Sequence, residues 1–292
     1  MTWWRRRRRD GLMQLYDALD ALGRDGTVGH PSIGEVPVTD IVGSMQRVGD
    51  FDEQFRLVNP ALQERWDRLA EAMRAGFEPP PVALVRLGEL HFVKDGHHRV
   101  SVARALGRMV VTARVEEICT VAYARVCVRA AHLPSKAAER RFLERVPLPQ
   151  EVRRQLWLDE PAQWARLADT AEAWGLRRAL EGDQHLDRCE LAKAWWAEEV
   201  EPLVARLCDA GVGVDLDDVQ VYVTALAVRD RLGASNWSDD VVEQLRPGSG
   251  HCRYSDRGHQ GRLPLLRRAR FGHSSRRLAP HPSSTVPPGT GA

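Results

Sequence analysis

Apolar and polar positions alternate in two short blocks near the middle of the chain. Val82-Ala83-Leu84-Val85-Arg86-Leu87 and Leu90-His91-Phe92-Val93-Lys94 each read as a strand, and Gly88-Glu89 between them has the composition of a hairpin turn. The period then changes. Val100, Ala103 and Leu106 recur at helical spacing, and Gly107 stands where a helix end favours glycine. Upstream, Leu12, Leu15, Leu19 and Leu22 predict an amphipathic helix within residues 10–22, followed by a Gly- and Pro-punctuated linker over 23–34.

Downstream the pattern is helical. Pro134, Pro147, Pro149 and Pro161 separate short helical stretches, with a break at Pro147-Leu148-Pro149. Leu191, Trp195, Val200, Leu203 and Leu207 predict a helix over 187–207 that Pro202 bends or divides. A second helix is predicted over 217–232, capped by Asp215 or Asp217 and stopped at Gly233. Trp157, Trp164, Trp174, Trp195 and Trp196 crowd this half. Acidic and basic residues mix around them, so they read as packing residues rather than base-stacking platforms.

Charge redraws the outline. The net charge of +2 hides a tail that, from Arg246 onward, carries nine Arg against one acidic residue, Asp256; its balance is +8, leaving the preceding body at −6. A mildly acidic body disfavours a broad duplex-binding face. The tail is rich in Gly, Ser, Pro and His and is read as disordered. Only Lys94, Lys136 and Lys193 stand against 39 Arg, a skew that weakens the Arg5 to Arg9 run as a nucleic-acid signal.

No apolar run approaches the roughly 18 residues of a membrane span, and the N-terminal arginines lack a secretory apolar segment, so a cytoplasmic protein is expected. The five cysteines include no Cys-x-x-Cys pair, which argues against a zinc ribbon, a redox dithiol or a disulfide framework. Cys119 and Cys127 are expected as buried thiols. In the tail, His251, Cys252, His259 and His273 fit no compact metal-ligand spacing.

The chemistry concentrates in Asp95-Gly96-His97-His98-Arg99, at the junction of strand and helix. Glycine permits close backbone approach, and a helix start presents unpaired N–H groups and a favourable dipole to an anion. Arg99 would add a planar charged fork, and two histidines would add pH-dependent donors. Two adjacent histidines are not expected to share one apolar core, so at least one should face solvent or ligand. The candidate cofactor-binding residues are Gly96, His97, His98, Arg99 and Ser101, and a solvated junction is the alternative to a phosphate pocket at this point. Lys94 precedes the run as an exposed strand-end lysine that could lie beside the pocket. There is no phosphate-loop, nucleophile-elbow or His-Glu-x-x-His pattern. A metal held by Asp95, His97 and His98 with Glu35 or Asp40 is disfavoured, because adjacent residues seldom aim at one ion, and no metal is assigned.

The Asp95-to-Arg99 run followed by a short helix resembles the ParB/sulfiredoxin superfamily: ParB N-terminal domains, sulfiredoxins and free-serine kinases. Together with Ile41-Val42-Gly43-Ser44 and Asp50-Phe51-Asp52, it is similar to bacterial ParB-like proteins of the Asp-Gly-His-His-Arg type. The resemblance spans 34–118 and implies an opening strand over 36–42, a helix over 62–76 before Pro79-Pro80-Pro81, and a strand over 110–116. It also implies that the glycine-to-arginine segment cradles nucleotide phosphates. In sulfiredoxins the preceding helix contributes to that cradle, and here it offers Arg65 and Arg68. Sulfiredoxins carry Cys in the place of His97, so their repair chemistry lacks its nucleophile here. ParB proper has acidic and basic residues where His97 and His98 stand, and residues 120–160 do not match its helix-turn-helix module.

The expected architecture is therefore α/β (α+β): an N-terminal arm and short helix over 1–33, a ParB/sulfiredoxin-like domain over 34–118, an all-α domain over 119–245 and a disordered tail over 246–292. The expected ligand is a nucleoside di- or triphosphate, with or without Mg2+. The expected role is nucleotide-dependent regulation, with DNA or a DNA-associated protein as partner and no membrane. The alternative is a small-molecule kinase or a nucleotide hydrolase or nuclease working in the same pocket, with Asp95, Glu35 or Asp40 as base or metal ligand.

Overall fold

The two central blocks alternate between two interiors. Val82, Leu84 and Val93 pack on one side of a sheet, while Val85, Leu87, Leu90 and Phe92 pack on the other. Both sides are covered, which is why the blocks carry so few polar positions. The computed structural model describes residues 12–246 apart from 48, 183–185, 214 and 235, and gives 27–29 as backbone only. The Arg5 to Arg9 run and the tail beyond Arg246 lie outside the described residues.

Six strands form a mixed sheet in the order β1-β3-β5-β4-β6-β2. They are β1 (Met13–Gln14), β2 (Arg24–Pro37), β3 (Ile41–Ser44), β4 (Val82–Leu87), β5 (Leu90–Asp95) and β6 (Val110–Thr120). β4 and β5 make the expected antiparallel hairpin, whereas β4 runs parallel to β6 and β3 runs parallel to β5. The turn needs its glycine. Gly88 has φ 56°, and a Cβ there would stand 2.6 Å from the Ala124 carbonyl oxygen.

Residues 23–34 are not a linker. They form most of the 14-residue edge strand β2, which pairs antiparallel with β6 from Arg24↔Thr120 to Pro37↔Val110. Register shifts between Arg24 and Gly26 and between Val28 and Ser32 absorb the residues that looked like punctuation. Pro31 falls within the second shift on an edge strand, where a missing N–H breaks no central ladder. Long-range pairing overrides local turn composition here.

One face of the sheet carries α2 (Gln63–Arg74) and α3 (His97–Ala105), with Phe51, Phe55 and Val100 in the core between them and the strands. The other face carries α1 (Leu15–Leu22), α4 (Leu133–Arg145), α5 (Gln150–Arg153), α6 (Pro161–Leu180), α7 (Arg188–Trp195), α8 (Glu201–Asp209), α9 (Asp218–Arg231) and α10 (Asp239–Leu245). A continuous core joins Val85 and Phe92 to Phe142, Trp164, Trp195, Leu226 and Leu245. Trp164, Trp195 and Trp196 are buried as packing residues, as their polar surroundings implied. A π-turn, Trp196–Val200, links α7 to α8, so Pro202 enters as an early residue of a new helix rather than as an interior breaker. Asp217 caps α9 reciprocally with Gln220. Cys127 departs from expectation: it is exposed, because the strand alternation that predicted its burial ends at Thr120; Cys119 is half-buried.

A buried ion pair ties the helical layer to the sheet. Lys136 Nζ donates to Glu139 Oε2 at 2.7 Å and to the Tyr123 carbonyl at 2.9 Å, in the segment that leaves β6. Burial pushes the Glu139 carboxyl up to about 7, against the opposing pull of Lys136. A carboxyl whose folded pKa lies above its unfolded one favours folding most below the unfolded value, and that contribution is lost as pH rises through the folded value. Wild-type stability should therefore fall from pH 4.5 to about 7 by an increment that Glu139→Gln removes. Lys136→Met should cost about 3–5 kcal/mol at alkaline pH, where an unpaired buried carboxylate remains, and much less below the unfolded pKa. Denaturant titrations at both ends of that range check this; equal losses at the two ends would contradict it.

Candidate functional site

Strand β5 turns into α3 through Gly96, whose φ of 98° lies in the left-handed region. A Cβ at this position would meet Val82 Cγ1 at 2.7 Å and Arg99 Cζ at 3.0 Å, so both conformation and space demand glycine. The Val100 N–H closes the first turn of α3 on the Gly96 carbonyl at 3.0 Å. Turn, hairpin and helix start are thus locked together.

Arg99 completes that lock. Its Nη1 donates to the Pro80 and Pro81 carbonyls at 2.7 and 2.8 Å, and its Nη2 donates to Asp95 Oδ2 at 2.7 Å. The fork expected to grasp phosphate grasps the chain itself, joining the proline bend before β4 to the start of α3. Ser101 is likewise turned inward, 3% exposed and accepting the Trp66 indole N–H at 2.8 Å, a bond between α2 and α3.

Both histidines of the run are buried, so neither faces open solvent. Phe51 makes this feasible: the His97 ring stacks on it at 6.1 Å between centroids, and His98 meets its edge at 5.5 Å. One aromatic wedge therefore serves two consecutive residues of a helix. His97 Nε2 lies 2.6 Å from Ser44 Oγ at the end of β3. Burial, reinforced by Arg47, lowers His97 to about 4, so its ring is neutral at pH 7. His98 is also lowered, by burial first and then by Arg65 and Arg47, with Asp50 opposing. Its Nδ1 and Nε2 are both buried without a hydrogen-bond partner.

Two cations thus act on this ring from outside the motif, Arg47 being itself paired with Asp50 at 3.6 Å. Arg65 comes from α2, a helix that the resemblance singled out. Arg47 comes from the loop after β3, where its φ of 60° places it in the left-handed region. Arg47 and the wedge role of Phe51 were not legible as site features, because loop residues carry no period. That loop is ordered by its own polar groups: Asp52 accepts the Gln54 and Arg56 N–H groups, and Asp50 accepts from Asn59.

The three candidate carboxylates are not gathered here. Asp95 is held by Arg99. Asp40 faces His91, four residues before Asp95 on β5, about 13 Å along a strand. Glu35 lies on β2, three strand spacings, about 14 Å, from β5. Lys94 is exposed and bound to Glu116 Oε1 at 2.8 Å. Among the described residues, no group of three or more His, Cys, Asp or Glu could hold a metal ion.

The solved structure of a Pnob8-like ParB-N domain is similar to this chain at 13% identity over 75% of it and 91% of that domain, with a TM-score of 0.22. No family model and no curated protein matches. At that level of likeness the residues themselves must carry the function. No described helix is long and apolar enough to cross a membrane.

Because three hydrogen bonds converge on one guanidinium, Arg99→Ala should destabilise the fold by about 1.5–3 kcal/mol. Arg99→Lys should recover little, since an ammonium cannot reproduce the planar fork. Equilibrium unfolding of the two variants checks this, and a wild-type midpoint for Arg99→Ala would contradict it.

Proposed function

We propose that this chain is a ParB-like nucleotide-binding protein whose phosphates seat at the N-terminus of α3, and that it acts as a nucleotide-dependent regulatory or DNA-associated factor. The observation that carries the reading is His98: a buried ring with two unpartnered nitrogens, beside a helix start, facing Arg47 and Arg65. An orphaned buried polar group costs about 1–3 kcal/mol, and a phosphate oxygen accepting from the ring would relieve part of that cost. The first-turn N–H groups and the helix dipole favour the same anion. Gly96, His97 and Arg99 then act mainly by shaping this cradle, while Arg47 and Arg65 supply its charge. Mg2+ would enter with the phosphates, since the described side chains form no metal cage of their own.

Regulation fits the same geometry. β5 carries the Asp95 anchor of the turn and also Phe92, which belongs to the core beneath the helices. A ligand that tightens the turn and favours one packing of β5 could bias the helical face that meets DNA or a DNA-associated protein. The kinase or hydrolase alternative gains nothing here, because Asp95 is already held by Arg99 while Glu35 and Asp40 stand apart.

Thermal-shift screening of nucleoside di- and triphosphates, with and without Mg2+, tests the reading, since a ligand of the folded site raises the melting midpoint. Arg65→Ala and Arg47→Ala should each weaken calorimetric affinity about ten- to a hundredfold, as expected for one lost charge-assisted hydrogen bond. Failure of every nucleotide and of inorganic pyrophosphate to shift the midpoint would overturn it.

A further inference from the structure

Three arginines stand beside the sheet face that carries Leu84, and they differ in how firmly they are held. Arg99 is fixed by hydrogen bonds of 2.7 and 2.8 Å to Pro80 and Pro81 and of 2.7 Å to Asp95. Arg86 lines a cavity of about 390 Å³ toward the far end of β4, with His91 and Glu117, and its Nη2 donates to Glu117 Oε2. Arg47 is held loosely. Its Nη1 stands 3.6 Å from Asp50 Oδ2, beyond a normal hydrogen bond, and its side chain is 49% exposed. A half-exposed pair of this kind contributes little to stability, so its cation is readily exchanged.

Asp50, by contrast, is anchored. Its Oδ1 accepts from Asn59 Nδ2 at 2.8 Å, its N–H donates to the Arg47 carbonyl at 3.1 Å, and its own carbonyl accepts the Val58 N–H at 2.8 Å. The next residue is Phe51, the wedge on which His97 and His98 pack, so the carboxylate is carried toward the start of α3. Asp50 also pulls the His98 pKa upward, against Arg65 and Arg47, as a negative charge at that corner must. A mobile cation therefore faces a fixed carboxylate beside the seat of the phosphates.

We propose that Asp50 is a built-in rival of the phosphate: it holds Arg47 in the free protein, and a phosphate must take the guanidinium from it in order to bind. The proposal rests on the nucleotide reading and adds a regulatory contact to that site. A phosphate wins the exchange because it offers several charged acceptors to the guanidinium, whereas Asp50 keeps one oxygen on Asn59. After the exchange the carboxylate stays beside the ligand. It therefore lowers affinity in two ways, by occupying Arg47 and by repelling the anion.

Calorimetric titration of the full chain with inorganic pyrophosphate, at fixed ionic strength and without Mg2+, tests this. It compares wild type, Asp50→Asn, Arg47→Ala and the Arg47→Ala/Asp50→Asn double variant. Asparagine removes the charge and keeps the oxygen that accepts from Asn59. Asp50→Asn should bind about three- to tenfold more tightly than wild type, the scale of one exposed ion pair and its charge. In the Arg47→Ala background the same substitution should gain markedly less, because the competition for Arg47 is gone. Binding by Asp50→Asn alone would also support the rival. If wild type binds and Asp50→Asn binds no more tightly, or gains equally in both backgrounds, this proposal falls and the nucleotide reading stands. If neither chain binds pyrophosphate, both fall. Should Asp50→Asn lower the melting midpoint, wild type decides: saturating pyrophosphate should move the Asp50 carboxyl ¹³C and Arg47 ¹⁵Nε resonances together, and a static Asp50 resonance overturns the proposal.

Discussion

The left-handed turn at Gly96 is the constraint from which the rest of the site follows. Its missing side chain leaves room for Val82 and the Arg99 guanidinium to close over the backbone. That closure ties the proline bend, the end of β5 and the start of α3 into one knot. Any side chain at residue 96 would have to displace Val82 or open the Arg99 contacts. The direction of α3, and with it the placement of His97 and His98 against Phe51, depends on that single residue.

Much of this was legible in the sequence, and the failures have physical causes. The hairpin and α3 followed from period and glycine placement, because both faces of the sheet and the inner face of the helix are buried, whereas β6 was expected only from the family resemblance. β2 was not legible, since its identity comes from pairing with β6 across 73 to 96 residues (Pro37↔Val110 to Arg24↔Thr120) and its bulges use the residues that normally mark loops. The motif itself was found, but the contacts within it were not. The Arg99 guanidinium binds Pro80, Pro81 and Asp95; His98, expected to hold phosphate with His97 assisting, is the histidine whose ring nitrogens have no partner. Sequence reports which groups stand near a junction. Which of them are already satisfied is decided by the Pro80 and Pro81 carbonyls and by Phe51, contacts that no local pattern encodes.

The same sheet face carries two polar openings. At the α3 end, cations from α2 and the loop after β3 surround a neutral histidine and a helix start. At the far end, Arg86 is paired with Glu117 beside another buried histidine, His91. Burial lowers the pKa of both rings in the free protein. The net charge of the chain conceals the contrast between an acidic body and an arginine-rich tail.

The central claim is that an anion seats against His98, and the His98 ring reports on it directly. In the free protein burial, Arg65 and Arg47 hold its pKa below the ordinary value of 6.5. An adjacent phosphate would favour the protonated ring and raise that pKa, so binding should take up a proton near neutrality and strengthen as pH falls. Imidazole ¹⁵N shifts of His98, assigned by comparison with His98→Asn and followed against pH with and without inorganic pyrophosphate, measure this. The account predicts an upward displacement of the His98 titration with pyrophosphate and no comparable change at His91. A His98 titration unmoved by saturating pyrophosphate would contradict it.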